Sequence, residues 1–189
     1  MERRNAIKNI GKSFGAFAVT PVVIELLQSC SGPQYDWSPE FYTEQEGSFI
    51  KNLADTFLPA VDKMPSATQV NVHVFLDKVG KEVLDEDQKR AHKSAMQLSI
   101  SSLNQSAGEE EVSRIDIKAY EKWLDQLFGS GASETEVSIF IEEVRDQIIW
   151  AYKNSEQVGE TIMAYNPIPG KYDGCVDLME TTGGKAWSI

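Results

Sequence analysis

The chain has 189 residues, enough for one domain with a substantial apolar core. Its formal net charge of −11 argues against a footprint on nucleic acid or on an anionic membrane surface. Two cysteines and two histidines are too few for a zinc cage or an iron–sulfur site held by this chain alone, so no cofactor or metal is assigned to it.

The first 29 residues have the layout of an export signal. Arg3, Arg4, Lys8 and Lys12 precede an uncharged stretch, "SFGAFAVTPVVI", at residues 13–24. That stretch is too short for a span, which needs roughly 20 apolar residues, and Glu25 follows it directly. "RRNAIK" resembles the twin-arginine signal, although a general secretory leader containing Arg-Arg fits the same residues. "LLQSC" resembles a bacterial lipobox, in which the Cys30 sulfur would receive a diacylglyceryl group and become the new N-terminus. A protein so processed is an exported lipoprotein, anchored to a membrane on the periplasmic side. Residues 30–41, with "SGPQYDWSP", then read as the lipidated cysteine and a tether.

Residues 42–164 read as a helical domain. "TEQEGSFIKNLADTFLP" opens with Thr43 and Glu46 in capping-box spacing, and Phe49, Ile50, Leu53, Phe57 and Leu58 share a face before Pro59 ends the helix. In "VNVHVFLDKVGKEVL", Phe75, Leu76, Val79 and Val83 favour a helix from about Val72, while the alternation at 70–74 leaves a short strand open. "DEDQKRAHKSAMQLSISSLNQ" predicts a polar helix with Ala91, Ala95, Leu98 and Ser102 inward. "GEEEVSR" reads as a solvated turn.

"DIKAYEKWLDQLFGSG" predicts an amphipathic helix with Tyr120, Leu124 and Leu127 on its stripe and Gly129 as a C-terminal cap. "SETEVSIFIEEVRDQIIWAY" offers a second capping box, Ser133 with Glu136. Its stripe is Val137, Phe140, Ile141, Val144 and Ile148, and its run "IIWAY" reads as deeply buried. A shorter helix over about 155–164 completes an all-α bundle of five or six helices.

Residues 165–189 break the pattern, with prolines, glycines and aromatics interleaved. Tyr165, Ile168, Tyr172, Leu178 and Trp187 alternate with turn residues, as in a chain that lies extended over a surface and plants anchors. Packing of the tail back on its own bundle is the competing reading.

Three stretches together resemble the gluconate 2-dehydrogenase subunit 3 family. They are "LADTFLPAVDKMPSA", "VNVHVFLDKV" and "NPIPGKYDGC" ahead of a terminal Gly–Lys–Ala–Trp. Where the family carries a "TDTPGA"-like loop, this chain has "VDKMPSA", with Val61 for a Thr and Ser66 for a Gly. The resemblance implies a non-catalytic small subunit. Its large partner would be an FAD-dependent dehydrogenase of the glucose–methanol–choline type that oxidises gluconate or another sugar, and a haem-bearing cytochrome c subunit often completes the complex.

The small subunit would aid maturation, export and anchoring, with Arg3 and Arg4 serving both chains and Cys30 holding the complex at the membrane. Pro59, Asp62, Tyr165, Pro167, Pro169, Gly170, Tyr172, Cys175 and Trp187 are then the candidate partner contacts. A free-standing envelope lipoprotein acting as a binding module is the alternative function.

Catalysis by the chain itself has weaker candidates. Asp55 and Asp62 flank the first loop and Glu109, Glu110 and Glu111 cluster later, yet glutamate runs are usually solvated and Asp62 suits a turn. His73 reads as a structural histidine at an apolar helix start, and His92, among Lys and Arg, is expected at the surface. Cys175 reads as a small apolar residue of the tail, with a covalent link to the partner as the sharper option.

Overall fold

A computed structural model describes residues 37–166, 168, 170 and 175–188. Arg3, Arg4, Cys30, Pro167, Pro169 and Tyr172 lie outside the described residues. The described part is helical: α1 (Glu44–Phe57), α2 (Val72–Glu82), α3 (Glu86–Ala107), α4 (Ile117–Phe128), α5 (Glu136–Lys153) and the short α6 (Leu178–Thr182). A 3₁₀ turn (Val112–Arg114) precedes α4 and a π-helical turn (Val158–Ile162) follows α5. No strand longer than an isolated bridge occurs among the described residues.

α1 is the central helix, packing against α2, α3, α4 and α5. It starts as its sequence dictates. The Thr43 N–H donates to Glu46 Oε2 at 2.8 Å and the Glu46 N–H donates to Thr43 Oγ1 at 3.3 Å. Two amides that a helix start leaves orphaned are thereby satisfied. Phe49, Ile50, Leu53 and Ala54 are fully buried. Tyr120 and Trp123 of α4 meet the Phe49 ring, each with centroids 6.0 Å away. The bundle core grows from this cluster and from Ile141, Val144 and Ile148 of α5.

Several expectations change. Residues 70–74 form turns and the first residues of α2, not a strand. On α3 the buried residues are Met96, Ser99, Ile100 and Leu103, while Leu98 is 44% exposed and Ala91 is also exposed. The inward face includes a serine because the Ser99 hydroxyl donates to Ala95 O at 2.8 Å, so no polar atom is stranded. The cap of α5 is Thr135 with Ser138, two residues later than Ser133 with Glu136.

On α4 it is Trp123 that is buried beside Tyr120, with Leu124 and Leu127 half-exposed. The Trp123 indole N–H reaches Ser102 Oγ at 3.0 Å, which lets a ring with a polar handle sit inside. Gly129 caps α4 in an extended conformation (φ −66°), and a Cβ there would collide with the Asp125 carbonyl. "IIWAY" divides: Ile148, Ala151 and Tyr152 are buried, whereas Ile149 and Trp150 point outward. The segment after α5 winds as a π turn rather than an α-helix.

The chain enters the bundle through a strap at Glu40–Tyr42. Asp77 of α2 is 3% exposed and accepts three backbone N–H bonds, from Glu40, Phe41 and Tyr42, at 2.9, 2.9 and 3.0 Å. The Phe41 ring lies over Gly80, where a Cβ would overlap it. Lys93 of α3 sits 4.4 Å from the Phe41 ring centroid, donates to Phe41 O at 2.7 Å and pairs with Glu46. A buried carboxylate with three donors and a lysine with a carboxylate, a carbonyl and a ring are each well compensated for desolvation.

Candidate partner-binding surface

α1 and α2 meet at the end of the bundle where the loop 58–71 joins them, and the C-terminal end of α5 reaches the same loop. Within it, Val61 and Met64 exchange backbone bonds, Val61 N to Met64 O at 3.1 Å and Met64 N to Val61 O at 2.8 Å. Asp62 takes the left-handed conformation (φ 50°) that this turn requires, a role that Asp tolerates better than most residues. Val61 and Ser66 therefore do not prevent a tight turn.

The loop base is pinned. Asp55 accepts from the Thr68 N–H at 2.9 Å and from its hydroxyl at 2.6 Å, and Gln69 Oε1 accepts from the Ser66 N–H at 2.8 Å. The Tyr152 hydroxyl of α5 donates to Pro65 O at 2.7 Å.

On this rigid base the apolar side chains face water. Val61 is 55% exposed and Met64 44%. Where the loop runs into α2, Phe75 and Trp150 of α5 form an exposed ring pair with centroids 5.6 Å apart. They line a shallow groove of about 320 Å³ with Val70, Val74 and Lys78. Trp150 follows the buried Ile148 by two residues, about 200° around the helix, which is the signal that could have placed it outside.

The tail begins at the same end, because the π turn follows α5 directly. Its last residues come back to its start: Ala164 N donates to Ala186 O and Ser188 N donates to Ala164 O, both at 2.8 Å. Trp187 thus sits in a parallel bridge with Ala164, and Lys185 Nζ donates to Thr161 O at 3.0 Å. Between these ends lie α6, capped by Asp177, and Gly170 with φ 78°. Tyr165, Ile168, Val176, Leu178, Met179 and Trp187 are all substantially exposed, as is the free thiol of Cys175. Of the expected contacts, Pro59, Asp62, Tyr165, Gly170, Cys175 and Trp187 are exposed and belong to the loop or the tail. Phe75, Trp150, Val61 and Met64 are exposed residues of this end that the sequence reading did not count among the contacts.

Two of the acid–base candidates have structural partners. Asp55 is committed to Thr68, and Glu111 pairs with Arg114 at 2.9 Å in an exposed turn. His73 is buried, and burial holds it down at about 4. Lys51 adds to the lowering, while Asp55 and Asp77 oppose it. His92 is half-buried rather than at the surface. Its Nε2 lies 3.2 Å from the Tyr42 hydroxyl and its ring sits edge-on to Phe140 at 5.1 Å. Burial and then Lys93 keep His92 down at about 4, against Glu46. Among the described residues no group of three or more His, Cys, Asp or Glu could hold a metal ion, and no helix is long and apolar enough to cross a membrane.

A family model described as gluconate 2-dehydrogenase subunit 3 matches residues 44–170. The chain belongs to the gluconate 2-dehydrogenase subunit 3 family. That membership makes it an accessory subunit of an oxidoreductase complex. The matched range opens at the first residue of α1, spans the pinned loop and ends inside the tail, so residues 40–42 of the strap and Trp187 lie outside it. Neither the curated proteins nor the solved structures contain a match to the chain.

Proposed function

We infer that this subunit works by contact. It binds a large FAD-dependent dehydrogenase of the glucose–methanol–choline type through the loop and tail, and the redox chemistry resides in that partner, with a haem-bearing cytochrome c subunit as a further member of the complex. The observation that carries the reading is the concentration of exposed apolar side chains on a hydrogen-bonded, rigid base. Val61, Met64, Phe75 and Trp150 are presented by pinned elements, so little ordering entropy opposes docking. Aromatic and methionine side chains of this kind are the residues that interface cores favour.

The N-terminal residues fit the same role. An arginine pair serving as a twin-arginine address would let the flavoprotein cross folded with its cofactor, and a lipid on Cys30 would hold the complex at the periplasmic face of a membrane. The strap suits a tethered domain, because a pull on the chain ahead of residue 40 meets the Asp77 bonds first.

Affinity purification through this chain, after co-expression with a large FAD-dependent dehydrogenase of the proposed type, tests the proposal. A yellow complex with flavin absorbance is expected, and Arg3→Lys with Arg4→Lys should leave both chains in the cytoplasm. A colourless monomer from native membranes would instead support a free-standing lipoprotein.

A further inference from the structure

A second groove has a different lining. α3 and α5, from Glu136 to Gln147, leave a space of about 560 Å³ between them. Ala91 and Ala95, one turn apart on α3, give it a low wall. Ile139 and Phe140 form the wall on α5, and Leu84 lies beside them. Ile139 is 44% exposed although it borders the core. His92 contributes its ring against Phe140 and, held down at about 4 by burial, carries no charge at neutral pH.

The charged side chains that line the groove are Glu136 and Glu143, with Gln88 and Gln147 as neutral polar neighbours. The two glutamates are seven residues apart on one helix. They therefore share a face of α5 and stand about 10 Å apart along its axis. Among the described residues no lysine or arginine lines the groove; nearby Lys89 is paired with Glu86 and Lys93 with Glu46.

We propose that this groove receives an amphipathic helix from a partner protein, with an apolar stripe seated on Ala91, Ala95, Ile139 and Phe140 and with Lys or Arg residues two turns apart facing Glu136 and Glu143. The occupant's chemistry follows from the site. Alanines one turn apart let a helix backbone come close, and an i, i+7 pair of carboxylates matches an i, i+7 pair of cations on a helix laid along α5. Complementary charge then sets the register and excludes acidic competitors. The groove shares the face of α5 that carries Trp150, seven residues after Glu143, so the helix would lie along α5 ahead of the Phe75–Trp150 pair.

The test uses the folded full chain and two fluorescent 18-residue helical peptides of alanine and leucine. They share one apolar stripe and carry either lysines or glutamates at i and i+7. Anisotropy titrations should show the lysine peptide binding about tenfold or more tighter than its glutamate twin, with a difference that shrinks as salt rises. Glu136→Gln with Glu143→Gln should erase most of that preference, and Ala95→Trp, once circular dichroism shows it folded, should abolish binding. Glu109→Gln with Glu110→Gln, in the turn after α3, should change nothing. Absence of binding by either peptide, equal binding of both, or indifference to the double Gln variant would overturn the proposal. So would sedimentation showing a dimer that Ala95→Trp dissolves, because the occupant would then be a second copy of the chain.

Discussion

The strap and the loop-and-tail surface use the same kinds of residue to opposite ends. At the strap, Phe41 and Tyr42 are covered by Lys93, His92 and α2, and every backbone donor from residue 40 to 42 is taken by Asp77. At the other surface, Trp150 is 55% exposed and Trp187 47%, on backbone that is just as firmly hydrogen-bonded. The first arrangement stabilises the fold. The second leaves apolar area free and fixes its shape, which is what a docking surface requires. Substitutions should therefore split cleanly, with stability lost at the strap and association lost at the loop and tail.

The largest loss of stability is expected from Asp77→Ala. It removes the acceptor of three N–H groups, of which that of Tyr42 is buried and those of Glu40 and Phe41 are partly so, and should cost about 3 kcal/mol in urea denaturation. An unchanged midpoint would mean that the strap adds nothing.

Acid should come next. His73 and His92 titrate near 6.5 when unfolded and at about 4 in the fold. Between those values the unfolded chain binds more protons, so stability rises with pH there and falls as pH drops from 6.5 through 4, levelling off below. At pH 5 the loss should be on the order of 1–2 kcal/mol per histidine relative to pH 7.5. His92→Gln should flatten its share of the slope, and denaturation midpoints across pH 4–8 measure it.

Gly80→Ala forces a Cβ into the Phe41 ring. Overpacking should outweigh the gain in helix propensity, for a net loss of about 1 kcal/mol in thermal or urea melts. Tyr152→Phe removes the donor to Pro65 O and should cost about 1 kcal/mol while loosening the loop, read as faster amide exchange at Ala67 and Val72. Smallest in stability, within about 0.5 kcal/mol, should be Trp150→Ser with Val61→Ser, yet this variant should lose the flavoprotein on purification.

The helices themselves were legible. The Thr43–Glu46 box and the stripes of α1 and α5 point to the right elements because local pattern and tertiary burial agree there. The inward face of α3 was misread because its stripe mixes Met96 and Ile100 with a buried serine, and the outward Leu98 is larger than the alanines beside it. The strap was not legible at all. Asp77 lies 35 to 37 residues from the amides it binds, and nothing in local periodicity marks a buried aspartate as an acceptor. Of the candidate surface, the turn role of Asp62 was readable from turn chemistry, and Tyr165 and Trp187, marked by aromatic spacing, are exposed. Phe75 and Trp150 were hidden inside runs that look buried by composition alone.

The most direct test is amide exchange and side-chain footprinting of the subunit alone and bound to the flavoprotein. Protection should appear at residues 61–64, Phe75, Trp150, Tyr165 and Trp187, while residues 40–42 and the Asp77 region stay unchanged. Protection confined to the strap, with the loop and Trp150 as accessible in the complex as in the free chain, would contradict the account.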